Sequence, residues 1–396
     1  MIKLKDILLV FGVFATPFIQ LSLTIAGELS LSTSIGKYNI FYTDFFALII
    51  IFLQIFVYKK LEYNKIAYLI LLGLFISFIS CFVNGYDNWF LRFLIGADFY
   101  FYGLLLSVVN FKWEQIRIIR AILLMLFYFV CTQMILISTG LVNMDKGVDM
   151  EGLIRFGSTA GSSIQSAFLI FILMAILTFL FKKRSILLFS INAIGTLAIM
   201  FSLSRGSILS LVFVFVVYGI IHFKKSKKEI ILFMIIMVCS LFVLEKQFRF
   251  VSIMEERNVM ENITSGRNER WKKTFDVYKQ SFLLFGAGNA ITPSERSFKS
   301  VFESERNLTN SPHNVYLSFL VENGILGIVN FIVLLLVLFR NLLKKKVKLS
   351  YHFLFFLSLP LIMMNTEIIL RNGIVAFFFW FLFFLLRSTT TKTTRV

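Results

Sequence analysis

Residues 314–339 read NVYLSFLVENGILGIVNFIVLLLVLF, an apolar run interrupted by a single charge, Glu322. Crossing a hydrocarbon core roughly 30 Å thick takes about 20 helical residues, so a run of this length is expected to span a membrane. Similar runs flank it, near residues 7–26, 38–58, 66–83, 89–109, 116–138, 162–181, 185–203, 207–223 and 229–245 upstream and near 351–366 and 372–387 downstream. The expectation is an all-α, polytopic protein of about 12 transmembrane helices, a single integral membrane domain over residues 1–396. Arg205 and Arg371 separate paired runs so closely that either pair could form a re-entrant or broken helix.

Composition agrees. The chain is 58% hydrophobic and 16% charged, against roughly one-quarter charged in soluble domains. The 49 Phe and 4 Pro suit long apolar helices and leave little for a loop-rich soluble domain. Cys81, Cys131 and Cys239 all lie in apolar runs without zinc-type spacing and read as buried small hydrophobes. A net charge of +18 would point to nucleic acid in a soluble protein. Here the positive charges cluster in short links between apolar runs, where Lys and Arg mark the cytoplasmic side. This predicts both termini in the cytoplasm, with Lys37, Arg92, Lys146, Arg155, Arg205 and Arg371 in short outer links. The first run lacks a small-residue cleavage site and reads as a retained helix.

Two outer segments stand out, residues 139–161 and a long extracytoplasmic loop over 246–312. Within the latter, Arg267 to Phe282 reads RNERWKKTFDVYKQSF, with Trp271, Phe275, Tyr278 and Phe282 at helical spacing and Ser265 as N-cap. An amphipathic helix at the membrane interface is expected, its aromatics towards lipid or the bundle.

No nucleotide-binding loop, GxSxG, HExxH or DxD-type sugar-nucleotide site occurs, and Gly286-Ala-Gly-Asn-Ala290 stops short of GxGxxG. The remaining polar residues converge on the outer face. Arg205, in Ser202-Leu-Ser-Arg-Gly-Ser207, lies so close to hydrocarbon that it is expected to face the bundle interior or an aqueous cavity; the plain alternative is an arginine snorkelling from a helix end. Arg155 is either a second such site or an interfacial anchor. Arg267 opens the amphipathic helix, where amides and the helix dipole favour an anion, unless it only decorates a solvated face. His313 follows Ser311-Pro312, which resembles an N-cap and first helical residue. In a first turn the dipole disfavours the imidazolium and leaves a neutral ring able to accept a proton. His222 and His352 sit beside lysine-rich links and carry no such signal.

Glu322 follows His313 by about two and a half helical turns, on the opposite face. It could neutralise an arginine, unless Asn323-Gly324 breaks the helix and redirects it. Glu367 and Arg371 read as an ordinary helical ion pair.

Taken in order, Ser204-Arg205-Gly206, Ser265-Gly-Arg267 with Trp271, Leu284-Phe-Gly-Ala-Gly288, His313-Asn-Val-Tyr-Leu317 and Glu322-Asn-Gly324-Ile-Leu-Gly327 resemble the bacterial O-antigen polymerase and ligase superfamily, Wzy-type polysaccharide polymerases foremost. The resemblance spans roughly residues 150–330. It implies a membrane glycosyltransferase at the outer face of the bacterial cytoplasmic membrane, acting on a polyprenyl-pyrophosphate-linked glycan. In that reading Arg205, Arg267 and Arg155 bind the pyrophosphate and His313 deprotonates the acceptor hydroxyl for inverting transfer, with Glu322 and Arg270 in support. No metal, nucleotide or other cofactor is expected. The expected partners are the undecaprenyl-linked donor and acceptor, membrane lipids and a chain-length regulator protein, with no nucleic acid. Polymerisation of repeat units is favoured over ligation to lipid A-core. A flippase of the same lipid-linked glycan, from another functional class, would carry charges along its central spans, where Asp98 is the clearest acidic candidate.

Overall fold

The structure is a computed structural model and describes residues 10, 13–14, 65–85, 89–108, 113–138, 147–150, 153–156, 163–181, 185–202, 204–221, 231, 235, 267–289, 312–344, 351–366, 370 and 373–388. These residues are mostly helical, with one short antiparallel hairpin and a non-helical stretch over 281–289. The helices are α1 (Lys65–Val83), α2 (Trp89–Gly96), α3 (Asp98–Val108), α4 (Trp113–Ser138), α5 (Ser163–Leu180), α6 (Ser185–Phe201), α7 (Arg205–Ile221), α8 (Arg267–Lys279), α9 (Val315–Lys344), α10 (Tyr351–Ser358) and α11 (Gly373–Ser388). The hairpin, β1 (Gly147–Met150) with β2 (Leu153–Phe156), lies within residues 139–161 and pairs Val148 with Arg155. Among the described residues, Lys65–Val83, Gln115–Ile137 and Val315–Leu343 are long and apolar enough to cross a membrane, with five shorter apolar helices beside them. The runs near 7–26, 38–58 and 229–245 lie largely outside the described residues, as do Ser265, Glu367 and Arg371.

The chain groups into two units. The first comprises Met1–Gln115, Arg267–Lys346 and Met364–Val396; the second comprises Ile116–Gly266 and Val347–Met363.

In the first unit α1 packs on α9 and α3, and α3 packs on α11. Lipid tails are as apolar as the helices, so close approach and interhelical hydrogen bonds drive such packing. Gly73 of α1 leaves room for the Tyr100 ring, and Gly103 of α3 does the same for Trp380. The Trp380 indole donates to the Phe99 carbonyl at 2.7 Å, and Asn330 of α9 donates to the Leu69 carbonyl of α1 at 3.1 Å. The run 89–109 is not one continuous helix: it ends at Gly96 and restarts at Asp98, which places a buried Asp98 in a first turn. Arg92, assigned from the sequence to an outer link, lies within α2 and is 3% exposed.

The run that opened the sequence reading is not a single rod. Gly324 has φ 67° and ψ −164°, which breaks α9. Phe319 and Phe331 stack with centroids 4.2 Å apart across this break. Twelve residues of straight helix rise about 18 Å, so the chain turns back sharply at Gly324. Residues 325–344 alone are about 30 Å long at 1.5 Å per residue, which is enough to cross the hydrocarbon core.

In the second unit α5 packs between α6 and α10. Gly195 of α6 accommodates Met174 and Phe127, Tyr128 bonds Ser190 at 2.8 Å, and Phe171 meets Phe355 at 4.5 Å. After α10, a π-helical turn runs over Leu359–Met363. Pro360 has no N–H for the regular helical ladder, and a wider turn absorbs that loss.

Candidate functional site

His313 occupies a place the sequence did not foresee. Ser311-Pro312 was expected to start the helix with His313 in its first turn. Instead Asn314 is the N-cap: its side-chain oxygen accepts from the Leu317 amide at 3.1 Å and its carbonyl from the Ser318 amide at 3.1 Å. With Asn314 as the cap, α9 starts at Val315. His313 therefore precedes the cap, half-buried, in the left-handed region with φ 47°. Among the described residues no other non-glycine has positive φ. Left-handed backbone costs an L-residue about 1–2 kcal/mol, so the surroundings must hold it there.

One holding contact comes from the amphipathic helix. The Trp271 indole N–H donates to the Pro312 carbonyl at 2.8 Å. The aromatics expected on one face of this helix divide. Trp271 and Tyr278 turn inwards as α8 packs on α9, Phe275 stays exposed, and Phe282 lies beyond the last helical residue, Lys279. Tyr278 is buried against Ala287 and Val321 and donates to the Leu283 carbonyl at 3.0 Å. Burial raises its phenol above the usual value, which keeps that donor protonated. Arg267 opens α8 one turn before Trp271, and Arg270, half-buried, immediately precedes it.

The glycine motif Leu284-Phe-Gly-Ala-Gly288 and the motif Glu322-Asn-Gly324 are parts of one device. In an unbroken α9 the amides of Ile325 and Leu326 would bond the carbonyls of Val321 and Glu322. Here Val321 and Glu322 accept from Ala287 at 2.7 Å and Gly288 at 3.0 Å, while Ile325 and Leu326 donate to Leu283 at 3.0 Å and Leu284 at 3.2 Å. The strap 283–288 thus takes over these four groups. Each would cost several kcal/mol if left unsatisfied in an apolar surrounding. Glu322, 1% exposed, lies next to the break, and its carbonyl also accepts from the Ser80 hydroxyl.

The strap in turn rests on α1. Asn84 donates to the Gly286 carbonyl at 3.0 Å, the Asn289 amide meets Cys81 Sγ at 3.3 Å, and the Asn289 side chain donates to Ser77. Ser77, Ser80, Cys81 and Asn84 follow helical i, i+3, i+4, i+7 spacing, a signal that was present in the sequence and went unread. Cys81 is buried, as expected, but it also serves as an acceptor.

Gly324 admits no side chain. Its backbone angles are nearly glycine-only, and a Cβ would lie 2.4 Å from the Leu284 carbonyl carbon and oxygen. Gly85, with φ 65° and nothing within 4 Å of a Cβ, is the control. Gly85→Ala is expected to cost roughly 1–3 kcal/mol through its backbone alone. Gly324→Ala should add a steric cost of about the same size, read as a larger fall in thermal midpoint of the detergent-purified protein.

Arg205 and Arg155 belong to the second unit. Ser204 caps α7, accepting from the Ile208 amide at 2.9 Å and meeting the Ser207 hydroxyl at 2.9 Å. Arg205 is the first residue of that helix and is exposed. A guanidinium at a helix start adds to the local positive potential, which favours an anion nearby. Arg155 lies in β2.

Residues 190–332 match the family model described as O-Antigen ligase. No curated protein matches the chain.

Proposed function

We propose, supported by the O-antigen ligase family match over residues 190–332, that this chain polymerises lipid-linked oligosaccharide repeat units at the outer face of the bacterial cytoplasmic membrane. The superfamily's members transfer glycans, and helices long and apolar enough to cross a membrane support a membrane location. The observation that carries the reading is that the motifs from Ser204-Arg205-Gly206 to Glu322-Asn-Gly324 all fall inside the matched region.

In the proposed reaction His313 removes the proton of an acceptor sugar hydroxyl. That oxygen forms a bond to the anomeric carbon of the donor as the bond to the pyrophosphate oxygen breaks, with inversion. The leaving group is undecaprenyl pyrophosphate, whose growing charge Arg205, Arg267 and Arg155 stabilise through charge-assisted bonds. Arg270 and Glu322 support the constellation. Both termini lie in the cytoplasm and residues 246–312 outside it in this reading.

Ligation of the glycan to lipid A-core or another acceptor is the second reading, favoured by the description of the matched family. Purified protein incubated with a lipid-linked repeat unit alone separates the two. A ladder of products is the expected result, unchanged by a chelator, because the proposed chemistry uses arginines in place of a metal. Transfer seen only when a core acceptor is added would make the protein a ligase. Loss of the ladder on chelation, restored by magnesium or manganese, would shift attention to Glu255, Glu256 and Glu261, which lie outside the described residues.

A further inference from the structure

We propose that Trp271 is a positioning residue for His313, acting through the Pro312 carbonyl; this rests on the reading of His313 as the base. The Pro312 carbonyl shares a peptide plane with the His313 amide. Fixing that oxygen fixes the plane from which the His313 backbone departs. His313 leaves it at φ 47°, in a basin L-residues rarely choose. A rotation to the ordinary negative region would carry Cβ, and the imidazole with it, to a different direction. With the start of α9 held by the Asn314 cap, that rotation also swings the Pro312 oxygen away from the indole N–H 2.8 Å from it, so the two holds together oppose it.

The tryptophan can do this because it is itself anchored. About two turns further along α8, Tyr278 is buried against Ala287 and Val321 and bonds Leu283, so the helix is tied to the strap and to α9. Trp271 thereby connects the rigid interlock at Gly324 to the residue before the base. The N-cap Asn314 holds the other side of His313. The ring of Trp271 supplies shape, and its N–H supplies the hold.

Two replacements separate these parts. Trp271→Phe removes the N–H and part of the ring; a 3-benzothienylalanine at position 271 keeps the ring shape and replaces only the N–H by sulfur. Turnover per folded molecule is expected to fall about 10- to 100-fold in both, the range for an ångström-scale misplacement of a reacting group, with the Michaelis constant for the lipid-linked donor unchanged. Each is then combined with His313→Ala. With the base absent there is nothing left to position, and the replacement should cause no further loss.

An equal loss in the presence and absence of His313 would overturn the positioning role and leave Trp271 a packing residue. Wild-type turnover in the benzothienyl protein would overturn it too. If His313→Ala alone keeps near-normal turnover, the base reading has failed, and the positioning role falls with it. That outcome is read from the single histidine variant before Trp271 is altered.

Discussion

Turnover of the His313→Ala protein is expected to fall about 100- to 10,000-fold, while its affinity for the lipid-linked donor survives. The factor is that of a lost general base, and the donor is held by other groups in the proposed mechanism. Alanine at φ 47° is also strained, so His313→Gly is the necessary companion, since glycine adopts that backbone freely. Equal losses in both variants assign the effect to the imidazole. Recovery of turnover in the glycine variant would assign it to the backbone and remove the base role. Asn314 caps α9 through its own side chain, so both proteins should fold. Kinetics normalised to folded protein, with donor binding measured alongside, check the result.

Arg205→Ala and Arg267→Ala should each lower product formation by about 100- to 1,000-fold, the usual consequence of removing one preorganised group that stabilises developing charge. Both arginines open a helix, α7 and α8. Lysine at either position keeps the positive charge and leaves the helix amides in place, but it lacks the guanidinium fork. Partial rescue is therefore expected from Arg205→Lys and Arg267→Lys. Full activity in both lysine variants would rule out bidentate binding of the pyrophosphate. Membrane insertion should be normal in all four, as judged by yield and a monodisperse elution profile.

The helices of this chain were legible because lipid requires long apolar runs, and runs such as 66–83 and 116–138 became α1 and α4. The breaks were less legible. Gly96-Ala97-Asp98 carries no proline and reads as continuous, yet α2 ends there and α3 begins. Gly324 was noticed as a possible break, but its consequence depends on residues far away in the chain. Hydropathy cannot show that the carbonyls of Val321 and Glu322 find donors at Ala287 and Gly288. The start of α9 was misplaced because Ser311-Pro312 and Asn314 both carry start signals, and local pattern alone does not rank them. His313 and Trp271 were each singled out, the one as a base and the other as an interfacial aromatic. Their connection through Pro312 is a tertiary contact with no local signature.

The pairing of residues 283–288 with 321–326 also sets what length changes the gene can accept. Donors at 287 and 288 and acceptors at 283 and 284 must meet partners whose spacing on α9 is fixed by Gly324. Deleting one residue between Leu284 and Ala287 pulls one pair of bonds out of step with the other. No substitution of side chains repairs this, because the bonded groups are all main-chain. Homologous chains can therefore exchange residues other than Gly286 and Gly324 within these two stretches while keeping their alignment free of gaps, and insertions or deletions will be confined to the sequence outside them.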